Sequence, residues 1–505
     1  MSYKNVLSYL EYTAKEFGDK TAFADETASC TYRELQLQAK AAGTALCHLT
    51  GVRRPVAVFM EKSPKAVAAF MGVVYAGCFY VMLDIEQPTE RLHMILDTLQ
   101  AEVLITDEEY VKKAEMLEFK GEIVQISKLL ETEADEELLL AVKKQATDID
   151  PLYAIFTSGS TGVPKGVLVS HRSVIDFIDC FTELFSITSE DVIGNQAPFD
   201  FDVSVKDIYS ALKTGATVQI IPRKMFSLPT ALLDFLEERK VTTLIWAVSA
   251  LCIITTLKGF SYKIPGALNK IMFSGEVMPM KHLQEWRKTY PDAMFVNLYG
   301  PTEITCNCTY YMIDREFGTE DVLPMGQAFP NEKVFLLDEE EKEIRKTEPG
   351  KTGELCVSGT CLALGYYGNK EKTEQAFVQN PLNPFYMETI YRTGDLAQYN
   401  ERQELVFVSR KDFQIKHMGH RIELGEIEAA MGAMEQVERV CCIFHEPKKK
   451  IMAFYEGNAD KKEITRGLME KLPRFMIPNG FVKVEKMPLT KNGKIDRKKL
   501  TELYL

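Results

Sequence analysis

Between residues 157 and 166 the sequence reads Thr157-Ser158-Gly159-Ser160-Thr161-Gly162-Val163-Pro164-Lys165-Gly166. Its glycines let backbone N–H groups turn towards an anion. Its hydroxyls add donors for phosphate oxygens, and Lys165 adds a positive charge. The chemistry this predicts is phosphate handling. Neither the Gly-x-x-x-x-Gly-Lys-Ser/Thr nor the Gly-x-Gly-x-x-Gly spacing fits. Taken alone, the same residues could also form an ordinary glycine-serine turn. No Ser-His-Asp or Cys-His constellation accompanies the loop, and the cysteines lack paired metal-ligand spacing. Free, reduced thiols are the expected state. His417 and His420 read as surface polar residues beside Arg421.

The elements that must position this loop are an apolar strand before it, from Tyr153 to Phe156, and a second after it, from Val167 to Ser170. His171 opens a helical pattern. Upstream, Val6 to Phe17 is amphipathic, and Thr31 with Glu34 has capping-box spacing. Pro55 to Met60 and Val103 to Thr106 read as strands. Ala66 to Leu83 carries no charge over 18 residues, the threshold length for a membrane span. Gly72, Gly77 and the preceding Pro64 favour a buried helix followed by a buried strand. Downstream, a helix from Ser204 to Leu212 precedes strands at Thr217–Ile221 and Thr242–Trp246. Alternating strands and helices predict an α/β architecture with largely parallel sheets. After about Gly350 the strands shorten and turns multiply, as at Gly353–Gly359 and Glu404–Val408, which predicts a β-rich subdomain. From Gln414 the pattern is strand, turn, helix, strand, strand, helix. The expected division is 1–410 and 411–505.

A chain of 505 residues exceeds a single core, so two or more domains are required. With 46% hydrophobic and 26% charged residues it is neither disordered nor collagen-like. The net charge of −12 argues against nucleic acid as a partner. It is unevenly spread: from Lys411 onward there are 19 Lys+Arg against 14 Asp+Glu, which leaves the remainder at −17. A basic C-terminal lobe could meet an acidic partner, or its lysines could simply be solvated. The polar start Met1-Ser2-Tyr3-Lys4-Asn5 carries no signal peptide, so a cytoplasmic location without an integral membrane segment is expected.

Further motifs follow the loop in a fixed order: Asn297-Leu298-Tyr299-Gly300-Pro301-Thr302-Glu303, Tyr391-Arg392-Thr393-Gly394-Asp395, Arg410 to Lys416, Gly419 to Leu424, and Pro488 to Asp496. Together they resemble the adenylate-forming superfamily, specifically its amino-acid adenylation branch, over essentially the whole chain. Within that branch the sequence is most similar to the D-alanine–carrier protein ligases, on Phe413 to Lys416, Ser274 to Val277 and Val205 to Tyr209. The resemblance implies a large N-terminal adenylation domain, built of two parallel-type α/β subdomains and a β-rich one, with a small mobile C-terminal α+β domain. It also implies ATP and Mg²⁺ as cofactors. The expected product is an aminoacyl-adenylate, which passes to the phosphopantetheine thiol of an acidic carrier protein in trans.

By the same resemblance Thr157, Ser158, Gly159, Ser160, Thr161 and Lys165 would hold the β- and γ-phosphates. Tyr299 would stack on adenine and Asn297 would read its edge, with Leu298, Gly300, Pro301 and Phe407 completing the nucleotide site. Thr302 would contact the α-phosphate, Glu303 would hold Mg²⁺, and Asp395 and Arg410 would reach the ribose. Asp412 would be the hinge of the C-terminal domain. Lys494 would bridge the substrate carboxylate and the α-phosphate, since lysine is a mobile point charge. Asp202 would bind the substrate's amino group, or act as a cap for the helix that follows it.

The side-chain pocket carries over to Val203, Lys206, Met272, Ser274, Leu298, Cys306 and Asn307, and less securely Ile245. Here the sequence departs from the D-alanine pattern: Lys206 and Ser274 replace Met and Cys, and Asn307 adds polarity. Lys206 could meet an acidic or amide-bearing substrate. Alternatively it could snorkel along its stem to water or pair locally with Asp202 or Asp207, leaving a small substrate such as alanine. An acyl- or aryl-CoA ligase, or a silent ligand-binding paralogue, are the competing functions; Asp202 opposes the first, and Lys494, Glu303 and Asp395 together oppose the second.

Overall fold

The computed structural model describes residues 4–159, 162–489 and 495–505. The chain divides into two compact units. The larger holds residues 1–85, 99–155 and 166–411, and the smaller holds 86–98, 156–165 and 412–505. The smaller unit therefore recruits two stretches from the N-terminal half, among them the Gly-rich loop.

Three sheets make up the larger unit among the described residues. A seven-stranded sheet centres on Pro55–Phe59 and Phe79–Leu83, paired in parallel. A nine-stranded sheet runs parallel from Thr21–Ala24 through Thr217–Ile220, Val192–Asn195, Thr243–Ala247 and Lys270–Ser274 to Met294–Tyr299. Its edges turn antiparallel. The central strands are buried at every position, as sheets covered on both faces require. The third, six-stranded sheet is antiparallel and starts at Glu332–Leu337, earlier than the texture change at Gly350 suggests. The strand opens on Glu332 and Lys333 and runs into the charged stretch from Asp338 to Glu341, which masks it in the sequence.

One continuous core joins residues of the two large sheets, including Val58, Phe23, Val218 and Met272. Two helices within it illustrate the local rules. Thr31 and Glu34 do form a capping box at the start of Tyr32–Cys47. That helix meets Pro64–Tyr75 through paired glycines: a Cβ on Gly43 would stand 2.5 Å from Tyr75 Cβ, and one on Gly72 2.6 Å from Ala42 Cβ. The charge-free stretch from Ala66 to Leu83 thus resolves into a buried helix and the buried strand Phe79–Leu83. No helix among the described residues is long and apolar enough to cross a membrane.

The smaller unit contains most of the helix Thr89–Leu99 and the hairpin of Gln414–His417 with His420–Glu423. The helix Leu424–Gly432 follows, then a sheet of Val437–His445, Lys450–Gly457 and Gly480–Lys483. Ile422, Ile427, Met431, Ile451, Ile464 and Leu468 form its core. The surface reading of His417 is corrected here: it is buried against Phe444, and burial lowers its basicity. His420 stacks on Phe475 with ring centroids 3.6 Å apart.

Candidate functional site

In parallel sheets ligands gather beyond the carboxyl ends of the strands. The nine-stranded sheet brings Asn195, Ala247, Ser274 and Tyr299 to those ends, with Ala247 in register with Ser274 and Phe273 with Asn297. Beyond Tyr299 the chain turns through Gly300 and Pro301 into a single helical turn, Thr302–Ile304. Gly300 is required by close approach: a Cβ there would lie 2.5 Å from Asn307 Cα. Thr305 and Cys306 then take left-handed backbone angles, φ 55° and 76°, a sparsely populated conformation for side-chain-bearing residues.

Two antiparallel strands of the third sheet, Thr389–Tyr399 and Leu405–Arg410, set Asp395 directly opposite Arg410. Asp395 is 2% exposed and accepts a hydrogen bond from Arg410 Nη1 at 2.6 Å. The Tyr299 hydroxyl donates to its other oxygen. Burial, then the neighbouring carboxylate, raises the Tyr299 phenol well above its ordinary range. The structure therefore brings together Tyr299, Asp395 and Arg410, three residues the sequence places in separate motifs. Asn297 donates to the Pro324 carbonyl at 2.8 Å, and Phe407 is half-buried opposite Ala397, two residues along the strand from Asp395.

Glu303 is fully buried and accepts from the Tyr366 hydroxyl at 2.8 Å. Tyr366 was invisible as a site residue because 63 positions separate the two. Among the described residues no group of three or more His, Cys, Asp or Glu could hold a metal ion. A single carboxylate does suit Mg²⁺, which takes most of its other ligands from phosphates and water.

On the pocket side, Asp202 occupies the N-cap position of Val203–Thr214, yet its side chain makes no capping bond. The cap reading is thereby corrected. The Cys306 thiol donates to the Asp202 carbonyl at 2.9 Å. Lys206 is fully buried and donates to Asn307 Oδ1 at 2.7 Å. The expectation that it might snorkel to water is overturned: the helix turns it inward. Met272, Ser274 and Leu298 are buried, and Val203 is half-buried. Next to Lys206 lies a group that sequence reasoning missed. Lys62 donates to Asn195 Oδ1 at 3.0 Å, and Asn195 Nδ2 donates to Asp207 Oδ2 at 2.7 Å. Burial pushes the Asp207 carboxyl up to about 7 and the Lys62 ammonium down to about 7. Only the Lys206-Asp207 pairing hinted at this in the sequence.

Within the smaller unit, the Gly-rich loop meets the residues after Asp412. Ser158 donates to the Arg421 carbonyl at 2.8 Å; burial raises the Glu426 carboxyl, with Arg91 and the Gly159 backbone acting against it. Thr157 Oγ1 is buried without a partner among the described residues, as expected of a hydroxyl kept for a ligand. Lys165 is half-buried, and Asp412 begins the smaller unit's longest stretch. Ser160, Thr161 and Lys494 lie outside the described residues.

The sequence profile of the AMP-binding enzymes matches residues 10–367, and that of the AMP-binding enzyme C-terminal domain matches residues 426–494. The D-alanine–D-alanyl carrier protein ligase of Staphylococcus aureus (strain Newman) is 32% identical over 513 aligned positions, covering 99% of both chains. Tyrocidine synthase 3 of Brevibacillus parabrevis is 32% identical across 98% of this chain, which spans only 8% of that protein's length. Other relatives of that kind are likewise matched over less than half their length, from 9% to 45%. Among solved structures, holo-PA1221, described as an NRPS protein with adenylation and PCP domains, shares the fold. Its TM-score is 0.85 at 24% identity, covering 99% of this chain and 84% of that one.

Proposed function

The chain belongs to the AMP-binding enzyme family, and from that premise we propose that it is an amino acid–carrier protein ligase acting in two steps. First, a carboxylate oxygen of the amino acid attacks the α-phosphorus of ATP. The bond from that phosphorus to the bridging oxygen breaks, pyrophosphate leaves, and an aminoacyl-adenylate forms. Second, the phosphopantetheine thiolate of an acidic carrier protein attacks the activated carbonyl, and AMP leaves. Chemistry of this kind needs positioning and charge stabilisation rather than a protein nucleophile.

In this reading Asp395 accepts the ribose hydroxyls, its carboxylate held by Arg410 and Tyr299. Tyr299 and Asn297 flank the adenine, and Thr302 faces the α-phosphate. The loop from Thr157 to Lys165 takes the outer phosphates, and Lys494 spans the attacking carboxylate and the α-phosphate. Glu303 would hold a Mg²⁺ ion, which supplies neutralising charge to the phosphates. Asp202 takes the substrate ammonium, because an amine needs an anion when it leaves water. Asp412 serves as the hinge at which the C-terminal residues rearrange between the two steps.

The observation that carries the amino-acid reading is the charged and amide-bearing group of Lys206 bonded to Asn307, whose backbone packs on Gly300, with Asp202 tied to the neighbouring Cys306. A fatty or aryl acid has no ammonium for Asp202 to bind. The end-to-end match with a carrier protein ligase supports the second step. The test is exchange of labelled pyrophosphate into ATP, run with the twenty amino acids, their available enantiomers, and sets of fatty and aryl acids. Exchange driven by an amino acid supports the proposal. Exchange driven only by fatty or aryl acids overturns it.

A further inference from the structure

Lys206 is 0% exposed on the helix Val203–Thr214. Its ammonium donates a single hydrogen bond, to Asn307 Oδ1 at 2.7 Å. An ammonium carries three N–H donors, so two are left without a partner among the described residues. The carboxylates of Asp202 and Asp207 act on it through space. Lysine is almost never fully buried unless paired, because its stem normally carries the charge out to water. A buried cation facing a neutral amide is costly, and only an anion or a lost proton relieves it.

The protein's own anions are poorly suited to that task. Asp207 is the adjacent residue, but burial pushes its carboxyl up to about 7; Asn195 bonds one of its oxygens, and the other has no hydrogen-bond partner among the described residues, Lys206 included. Asp202 and the Cys306 thiol act on Lys206 through space. Burial accordingly lowers the basicity of the Lys206 amine.

Position adds the second argument. Asn307 is the backbone neighbour of Gly300, the two packed so closely that no Cβ fits between them. The unpartnered donors are therefore one hydrogen bond away from the segment that carries Tyr299, Thr302 and Glu303. Given the ligase reading above, on which this step rests, we infer that the substrate is an amino acid whose side chain ends in a carboxylate, and that Lys206 receives it. A carboxylate presents two oxygens to two free donors, in a site where a charge-assisted bond is not diluted by water.

The experiment is pyrophosphate exchange with both enantiomers of aspartate, glutamate, asparagine, glutamine, alanine and serine, on the wild-type protein and on Lys206→Met. An acidic amino acid should exceed alanine in kcat/KM by at least about 10-fold, and Lys206→Met should reduce that kcat/KM by about 10- to 150-fold, the span of one charge-assisted bond. The ratio of the acidic amino acid's kcat/KM to that of alanine should fall accordingly in Lys206→Met. Preference of the wild type for alanine, serine or an amide overturns the inference while leaving the ligase reading intact. Absence of exchange with every amino acid, alongside exchange with a fatty or aryl acid, overturns both. The wild-type panel decides the matter even where Lys206→Met fails to fold.

Discussion

Replacing Asp395 by asparagine keeps the shape of the side chain and removes its charge. The wild-type carboxylate already holds Arg410 at 2.6 Å and the Tyr299 hydroxyl, and it is 2% exposed. Two consequences follow, and they are separable. The cross-strand pair weakens, because the amide oxygen still accepts one bond from Arg410 but without opposite charge. Removing one partner of a buried pair outright costs about 3–5 kcal/mol, so the retained oxygen limits the loss to roughly 1.5–3 kcal/mol. ATP binding should fall further. A carboxylate can accept both ribose hydroxyls, whereas the carboxamide offers one acceptor and turns two N–H donors towards them. Losing one charge-assisted bond and weakening the other amounts to about 2–4 kcal/mol, or roughly 30- to 1,000-fold in the KM for ATP. The assay is amino-acid-dependent pyrophosphate exchange at saturating amino acid, titrated with ATP, beside a urea melt of the same preparation. The KM for the amino acid should move by less than about threefold. A folded Asp395→Asn protein whose KM for ATP stays within about threefold of wild type would falsify the nucleotide role and leave Asp395 as a strand-pairing residue.

Lys494→Ala should cut adenylate formation by on the order of 100-fold or more, the scale of a lost preorganised charge; single-turnover transfer from pre-formed adenylate should be less affected, and equal loss in both steps would count against the assignment. Asp202→Asn should raise the KM for the amino acid about 10- to 150-fold with little effect on ATP, measured in the same exchange assay; an unchanged amino-acid KM would end its role at the ammonium. Arg91 and Glu426 form a buried pair within the smaller unit, with side chains 5% and 1% exposed. Glu426→Ala, which removes one partner outright, should therefore cost about 3–5 kcal/mol in denaturant unfolding, and the apolar double replacement Arg91→Met with Glu426→Leu should recover most of it. His171 accepts a long hydrogen bond from the Val6 N–H, and burial drives its imidazole down to about 4. Its folded pKa lies below the unfolded value of about 6.5, so the stability it contributes is complete above pH 6.5 and is lost as pH falls through 4. That span is worth about 3 kcal/mol, and His171→Gln should flatten the acid limb of stability between those two pH values.

Local rules exposed most of the frame. The capping box at Thr31 and Glu34 is a three-residue pattern, and it forms as read. The strand Val103–Thr106 is continuous and apolar, and its bounds match the sequence reading. Glu332–Leu337 was missed because its own Glu332 and Lys333 and the charged run from Asp338 conceal a strand whose partner, Gly353–Gly359, is easily seen. The site residues divide along the same line. Asp395 and Tyr299 stand out within their own motifs, but the bond between them spans 96 positions and depends on two sheets. Tyr366 and Lys62 stand in no motif at all. Their partners, Glu303 and Asn195, are supplied by tertiary packing, which no spacing encodes.

The same distinction explains why Lys206 could be noticed but not interpreted from sequence. Helical periodicity cannot decide between a lysine that lies along the protein surface and one that turns into the interior. Burial decides it, and burial here is complete. The helix Val203–Thr214 commits Val205, Ile208 and Tyr209 to the core, so the face that carries Lys206 has no route to solvent. A stable fold would ordinarily place leucine or methionine there, since replacing a buried ion by an apolar side chain of similar size is commonly neutral or stabilising. Proteins break such rules chiefly where function requires it. Lys62, Asn195 and Asp207 compound the exception, because two of the three have basicities driven towards neutrality by the same burial. With Lys206 bonded to Asn307, whose backbone packs on Gly300, this cost to stability is best explained by a charged ligand that relieves it, and the substrate panel measures that relief directly.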